Sequence, residues 1–208
     1  MNNKIEIKYF FLIKKKKISF IAFDPVKGPI LTNEVFIEDF SIDNIYYLLE
    51  NFLEKNILKI EKDLKNFIKN IYIIFENDNF FIARTSIRHD FEKNIFTHGL
   101  INEALIDIRN HFYKYSPGYE IVHMIIDRYV INGDTHKDLP QNIDSDNIVI
   151  QANFICLDHQ IIEKFKKIFS KYQISINKIL SYDYLKNLDT KKSENIAKVA
   201  NDNINGYH

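Results

Sequence analysis

The sequence has few of the residues that form disulfides or phosphate-binding loops. Its 208 residues include one cysteine, no tryptophan, four prolines and five glycines. The single cysteine, Cys156, excludes a disulfide within the chain, and its place in an apolar run predicts a buried small side chain. The glycines form neither a GxGxxG nor a GxxxxGK(S/T) motif, the two patterns that mark many nucleotide phosphate loops. We therefore expect no nucleotide or other cofactor.

Charge and hydropathy exclude further classes of protein. Lysine and arginine together number 28, as do aspartate and glutamate, so no overall field attracts nucleic acid and we predict no nucleic-acid partner. The longest apolar runs, such as YFFLI and IYIIF, are far shorter than the roughly 20 residues that cross a bilayer. The lone cysteine fits a reducing compartment. The sequence therefore predicts a cytoplasmic protein that does not span a membrane by itself.

The beginning of the chain predicts a meander of three strands. Extended runs occupy residues 5–13, 18–24 and 30–37, and the first two are apolar on both alternating faces. That pattern is typical of strands covered on both sides of a sheet. Lysines 14–17 supply the first connection, and DPVKGP at 24–29 supplies the second through its prolines and glycine.

Helices and a buried strand are predicted after the meander. Ser41 can cap a helix whose apolar residues recur every three or four positions as far as Leu53. A second, shorter helix is predicted around residues 60–68. The apolar run IYIIF at 71–75 then predicts a buried strand.

The middle of the chain predicts a strand, a helix and a pair of strands. FFIARTSIR at 80–88 alternates between a drier and a wetter face, as a strand does. Thr97 can cap the following helix, which SPG at 116–118 ends. EIVHMIIDRYVI at 120–131 and NIVIQANFI at 147–155 predict an antiparallel pair joined by a polar loop.

The last part of the chain predicts a helix, a returning strand and a polar end. Asp158 can cap a helix with an apolar inward face. That face consists of Ile161, Phe165, Ile168, Phe169 and Tyr172. INKIL at 176–180 predicts a strand that returns to the first sheet, and a short helix follows near residues 183–188. The polar stretch 191–208 is predicted to be a frayed helix or a tail.

Four segments together resemble a known family. They are THGLINEALIDIRNHF, EIVHMIIDRYVINGD, the loop containing DLPQNIDSD, and NIVIQANFICLDHQIIEKFKKIF. Their order and spacing resemble the inserted strand-helix-strand-strand module of the bacterial cell-division actin homologue FtsA. The resemblance implies an α+β (mixed α/β) fold that combines a partial actin-like, ribonuclease H-like subdomain with that module. The implied division is an actin-like subdomain at 1–78 and 173–190, an interaction module at 79–172 and a polar tail at 191–208.

The resemblance is incomplete at the places that hold ATP. FtsA-like proteins carry a phosphate-binding turn of the Asp-Ile-Gly-Thr type between their first two strands, where this sequence has Leu12, Ile13 and lysines. They continue into a second half with an Asp-Gly-Gly phosphate loop, and that motif is missing from this sequence. The resemblance therefore implies a scaffold without a complete ATP site, and we expect no enzymatic activity.

Three functions are compatible with the resemblance. The first is a cell-division scaffold that docks other division proteins, with self-association as a further candidate. It would lie at the inner face of the cell membrane at the division site and reach the membrane only through its partners. The second is the actin-like platform protein of type IV pilus assembly, which carries a similar module. The third is one half of a split actin-like ATPase that a second chain completes.

Few individual residues point to chemistry. Asp127, Arg128 and Tyr129 are candidate protein-interface residues, because arginine and tyrosine are enriched at binding hot spots. His123 and Asp127 share a strand face by the period of two. An acid-base pair also needs a cleft and a perturbed pKa, so we predict no catalytic residue.

Two further groups of residues have a simple structural interpretation. Cys156 and His159 form a C-x-x-H pair, but no second pair at zinc spacing accompanies them, and we predict no metal site. Lysines 14–17 could contact anionic lipid or phosphate. A solvated hairpin tip is the favoured alternative, because the whole sequence is rich in lysine.

Overall fold

The computed structural model describes residues 6–90, 98–140, 145–189 and 195–205. It divides into two compact units, Met1–Asp78 with Gln160–His208, and Asn79–His159. The elements in chain order are β1 (Lys8–Lys14), β2 (Lys17–Asp24), β3 (Gly28–Phe36), α1 (Ile42–Leu64), β4 (Asn70–Phe75), β5 (Phe81–Asp90), α2 (His98–Tyr115), β6 (Tyr119–Ile131), β7 (Asp134–His136), β8 (Asn147–Asp158), α3 (His159–Ser170), β9 (Ser175–Ser181), α4 (Tyr182–Leu188) and α5 (Ile196–Ile204). The predicted mixed α/β class is confirmed.

The first unit is built on a five-stranded sheet in the order β3-β2-β1-β4-β9. The first three strands pair antiparallel as the predicted meander, and β4 and β9 then add parallel to β1. The turn between β2 and β3 uses the predicted proline and glycine region. The Asp24 carboxylate accepts hydrogen bonds from the amides of Val26 and Lys27, at 2.8 and 3.0 Å, and these bonds lower the pKa of Asp24. Gly28 takes φ +84°, a conformation that L side chains rarely adopt.

Helix α1 is one continuous helix, which corrects the prediction of two helices. The predicted cap is confirmed, because the Ser41 hydroxyl accepts a hydrogen bond from the Asn44 amide at 3.4 Å. Apolar residues continue at helical spacing through Ile57 and Ile60, and no glycine or proline interrupts residues 42–64. The core-facing stripe is therefore unbroken, and the helix ends only where Lys65 adopts the left-handed conformation.

Helices α1 and α3 cover one face of this sheet. The ring of Phe11 in β1 is fully buried. Its centre lies 5.6 Å from the ring centre of Phe52 in α1 and 4.9 Å from that of Phe169 in α3. The ring centres of Phe75 in β4 and Phe165 in α3 are 5.3 Å apart. The prediction placed residues 160–172 in the inserted module. In the structure α3 belongs to the first unit, because its aromatic face packs on the first sheet.

Helices α4 and α5 cover the opposite face. Leu185 of α4 and Ala197, Val199 and Ala200 of α5 are buried in one cluster with strand residues such as Phe10. The stretch 191–208 was predicted to be a frayed helix or a polar tail, and residues 196–204 instead form a packed helix. The buried residues of this helix are Ala197, Val199, Ala200 and Asn201, so one helical face of a mostly polar stretch is enough to pack it.

The second unit is a four-stranded antiparallel sheet in the order β5-β8-β6-β7, with α2 beside it. The short strand β7 was not predicted, because its three polar residues give no apolar alternation. It pairs with the end of β6 through a tight turn in which Asn132 and Gly133 both have positive φ. The proposed cap Thr97 and residues 141–144 of the predicted loop lie outside the described residues.

Candidate docking surface

The two faces of the second sheet differ in what covers them. Alternate residues of β8, from Ile148 to Cys156, are buried in two clusters with Ile101, Ala104 and Ile108 of α2. In β8 the intervening residues, such as Gln151 and Asn153, point to the opposite face by the period of two. Within the second unit, α2 therefore covers one face only.

Polar side chains from three neighbouring strands line a shallow hollow on the opposite face. The hollow has a volume of about 540 Å³. We call six of its polar residues the arginine face: Arg84 and Ser86 in β5, Asp127 and Arg128 in β6, and Gln151 and Asn153 in β8. The strand register explains this grouping, because Arg84 is paired with Asn153, Ser86 with Gln151, and Gln151 in turn with Arg128.

A bulge in β6 brings two charged neighbours into the same hollow. The register with β8 shifts between Ile126 and Arg128, so that Asp127 is an extra residue without a partner position in β8. In a regular strand, adjacent residues point to opposite faces. Here both Asp127 and Arg128 line the hollow, and Arg128 Nε donates to Asp127 Oδ2 at 2.7 Å. The two side chains are 41% and 48% exposed, so this ion pair is accessible to a partner.

Arg84 carries the one positive charge of the arginine face that is not balanced locally. No carboxylate of the described chain forms an ion pair with it, whereas Arg128 is paired with Asp127 and the nearby Arg88 with Asp90. A guanidinium presents a fork of N–H groups that matches a carboxylate. The amides of Gln151 and Asn153 add donors and acceptors suited to a peptide backbone. The arrangement can therefore bind an acidic or extended protein segment.

The three predicted interface residues lie in two different environments. Asp127 and Arg128 are exposed on the arginine face, as described above. Tyr129 is only 8% exposed and packs on the α2 side of the sheet with Ile150, and burial raises the pKa of its hydroxyl. It is therefore not accessible to a partner in this structure. His123 lies on the same strand but is 5% exposed, in contrast to Asp127.

Sequence reasoning did not assign Arg84, Ser86, Gln151 or Asn153 to a site. The signal was present as alternation, since Gln151 and Asn153 stand between apolar residues of β8, and Arg84 and Ser86 alternate with Ala83, Thr85 and Ile87 in β5. Alternation identifies the more polar face of a strand but does not identify which strands are neighbours. Only the pairing of β5 with β8 and of β8 with β6 brings the residues together.

The C-x-x-H pair is divided between two environments. Cys156 is fully buried with Ile108 and Phe154, and burial raises the pKa of its thiol to about 12. His159 Nδ1 lies 3.0 Å from Glu120 Oε1, in a partly exposed pair. Across the described part of the chain, no group of three histidine, cysteine, aspartate or glutamate side chains is arranged to hold a metal ion.

Lysines 14–17 form the tip of the β1–β2 hairpin, and three of them have partners within the first unit. The ammonium group of Lys14 lies 4.7 Å from the centre of the Tyr182 ring, that of Lys15 lies 3.5 Å from Asp78, and that of Lys17 lies 2.5 Å from Glu34. The backbone amide of Lys15 also donates to Glu76 Oε2 at 2.9 Å. These contacts favour the solvated hairpin tip over the lipid-binding interpretation.

No helix within the described ranges is both long enough and apolar enough to cross a membrane.

No protein-family model and no curated protein matches the chain. Several solved structures are similar to it at low identity. One is described as a PilM-PilN type IV pilus biogenesis complex; it has 7% sequence identity and a TM-score of 0.46, and the match covers 87% of this chain and 49% of that one.

Two further similar structures come from named organisms. One is a Bacteroides thetaiotaomicron protein with an actin-like ATPase fold and unknown function, at 12% identity and a TM-score of 0.36, covering 90% of this chain and 57% of that one. The other is the cytoplasmic domain of EpsL, an inner membrane component of the type II secretion system of Vibrio cholerae. It has 10% identity and a TM-score of 0.32, and the match covers 86% of this chain and 56% of that one. This chain thus spans about half the length of these structures, and none of the three descriptions names FtsA.

Proposed function

We propose that this chain is a non-enzymatic docking protein of the actin-like type that works within a multi-protein assembly at a membrane. Type IV pilus assembly or a related secretion machine is the first setting to test, and the cell-division machinery predicted from the sequence is the second. The choice between these two settings depends on which partner binds.

The arginine face is the single observation that supports docking. It joins three strands of the second unit, its charged residues are exposed, and Arg84 forms no ion pair with a described residue, whereas Arg128 is paired with Asp127. Charged and amide groups at an exposed face give specificity and fast association more than raw affinity. This suits a protein that recruits partners.

The hairpin of the first unit supports the absence of ATPase activity in the isolated chain. The FtsA resemblance places the first phosphate-binding turn between β1 and β2. Here that connection is a two-residue turn, and the Lys15 amide is already bound to the carboxylate of Glu76. A phosphate would compete with this internal anion for the same donor and would meet its negative charge.

Peptide binding tests the setting. Fluorescence anisotropy with a labelled N-terminal peptide of a pilus membrane protein, and with labelled segments of division proteins, compares the two partner sets directly. Saturable binding of the pilus segment alone supports pilus assembly, and binding of a division segment alone moves the proposal to cell division. Binding of neither set overturns docking in these two settings.

Charge reversal tests the surface. Arg84→Glu and Arg128→Glu should each lower the affinity for the peptide by at least about tenfold, because each change removes a cation and adds an anion at the contact. Arg109→Glu is the matched control, since Arg109 is an exposed arginine on α2, beside the other face of the sheet. Equal losses in all three variants would show an overall charge effect and would exclude the arginine face as the docking site.

Equilibrium dialysis with ATP and magnesium tests the non-enzymatic part separately. We expect no saturable binding and no turnover by the purified chain. Binding that appears only when a second protein is added would support the alternative of a split ATPase. Turnover by the chain alone would refute the proposal.

A further inference from the structure

Two large apolar side chains protrude together from the first unit. Leu58 in α1 is 76% exposed, and Phe67, in the turn that follows α1, is 75% exposed. Both line the same hollow of about 390 Å³, together with Lys62 and Lys65. We call these four residues the Phe67 patch. Single exposed apolar residues are common, but two side chains of this size beside one hollow need an explanation.

The local structure fixes the outward direction of both side chains. Leu58 lies on the face of α1 opposite the buried stripe that includes Ile57 and Ile60. After α1, Lys65 adopts φ 51° and turns the chain. The amide of Ile68 then donates to Glu61 Oε1 at 2.9 Å, and the Ile68 side chain is buried. This anchoring leaves Phe67 on the outside of the turn.

The chain segment that carries the patch is rich in lysine, and two of its lysines, Lys62 and Lys65, line the hollow itself. Residues 54–69 contain five lysines, at 55, 59, 62, 65 and 69, and three carboxylates, which gives a net charge of +2. None of the five forms an ion pair with a described residue, whereas Lys15, Lys17, Lys166 and Lys171 elsewhere in this unit do. One of the three carboxylates, that of Glu61, accepts a hydrogen bond from the Ile68 amide. The patch therefore presents apolar groups within a segment of net positive charge.

We propose that the Phe67 patch binds the surface of an anionic lipid membrane. Apolar side chains that enter the boundary between head groups and acyl chains, together with basic residues that attract anionic lipid, are the two signals that hold a protein at a membrane surface. Phe67 and Leu58 supply the first signal, and Lys62, Lys65 and their neighbours supply the second. This contact is direct, in addition to any attachment through partner proteins, and it does not depend on the docking function.

The lack of tryptophan makes the patch easy to observe. Phe67→Trp introduces the only tryptophan of the chain, and its emission shifts to the blue when the ring leaves water. Phe36→Trp is the matched control. Phe36 is also 75% exposed, but it pairs with Lys17 at the hairpin end of the first sheet, whereas Phe67 precedes β4 at the opposite end. Both substitutions are at exposed positions and should leave the fold intact.

The probe is vesicles made of equal parts of phosphatidylserine and phosphatidylcholine, compared with pure phosphatidylcholine. We expect a blue shift for Phe67→Trp with the anionic vesicles, reversal by high salt, and no shift for Phe36→Trp. Within the Phe67→Trp background, Lys62→Gln and Lys69→Gln should each weaken vesicle binding about fivefold. Lys16→Gln, at the hairpin tip, should change it much less.

Three results would overturn the proposal. The first is no shift of the Phe67→Trp emission with anionic vesicles, which would leave a protein partner as the occupant of the patch. The second is an equal shift in both tryptophan variants. The third is a shift that depends on protein concentration without vesicles, which would assign the patch to self-association.

Discussion

The single cysteine provides a direct measure of how well the second unit is packed. Cys156 lies in the central strand β8, on the face covered by α2, with Ile108, Ala152 and Phe154 around it. Its thiol is free and fully buried. Since the chain has no other cysteine, any reaction with a thiol reagent reports on this one position.

The expected protection follows from the pKa of the thiol. Only the thiolate reacts at an appreciable rate. Burial raises the pKa of Cys156 from the ordinary value of 9.0 to about 12. At about pH 8 the thiolate fraction then falls from about one tenth to about one ten-thousandth, so ionisation alone slows the reaction about a thousandfold. Exclusion of the reagent from the core slows it further.

The assay compares the native protein with the protein unfolded in urea. Labelling with an aromatic disulfide reagent is followed by absorbance at a fixed pH, and the unfolded rate serves as the reference. We expect the native rate to be at least about a thousandfold lower. A native labelling rate within about tenfold of the unfolded rate would refute the burial of Cys156 on the face of β8 that α2 covers.

The same group makes stability depend on pH in the alkaline range. The folded state keeps the Cys156 proton up to about pH 12, while the unfolded state releases it near pH 9.0. The unfolded state therefore binds fewer protons between these values, and the free energy of unfolding falls as the pH rises above about 9. Cys156→Ala should remove this part of the decline, which chemical unfolding at a series of alkaline pH values measures.

Three further predictions concern the first unit. In urea titrations followed by circular dichroism, Phe11→Ala should lower the free energy of unfolding by about 3–5 kcal/mol. Phe36→Ala, at an exposed position, should lower it by less than about 0.5 kcal/mol. Similar losses in the two variants would contradict the burial of Phe11 beneath α1 and α3. Hydrogen bonds from Lys17 and then Ser19 lower the pKa of Glu34, so thermal melts should show Glu34→Gln destabilising near neutral pH and harmless once the pH falls through that lowered pKa; a constant difference would contradict this. In the same urea titration, Gly28→Ala should lower the free energy of unfolding by about 1–2 kcal/mol, because Gly28 has a positive φ. Gly118→Ala is the control without a positive φ and should lower it less. Equal losses would exclude backbone conformation as the cause.

Local sequence features predicted most elements of the fold. The meander followed from apolar runs separated by the lysines and by the Asp24 turn, and α1 began at Ser41 as its capping pattern required. Turn chemistry and capping depend on residues only a few positions apart, so the sequence displays them directly. The errors arose where local signals were weak. Residues 54–59 were treated as a break in α1, and the polar residues of β7 gave no apolar alternation.

The candidate site was predictable in part. The sequence identified Asp127 and Arg128 as candidate interface residues on one strand, and its alternation marked Arg84 as part of a more polar face. It also named Tyr129 as an interface candidate, because residue type alone does not reveal that the ring packs on the α2 side. The β6 bulge changes which neighbours share a face, and a bulge depends on the partner strand rather than on the bulged sequence.

The sequence alone determined the mixed α/β class, the burial expected for Cys156, and the balance of charges, because these depend on composition and on contacts between near neighbours. The tertiary structure decided that α3 and α5 pack on the first sheet, that β8 lies between β5 and β6, and that Leu58 and Phe67 protrude beside each other. These features join residues far apart in the chain. Their free energy comes from apolar burial and strand pairing across the fold, which no short stretch of sequence specifies.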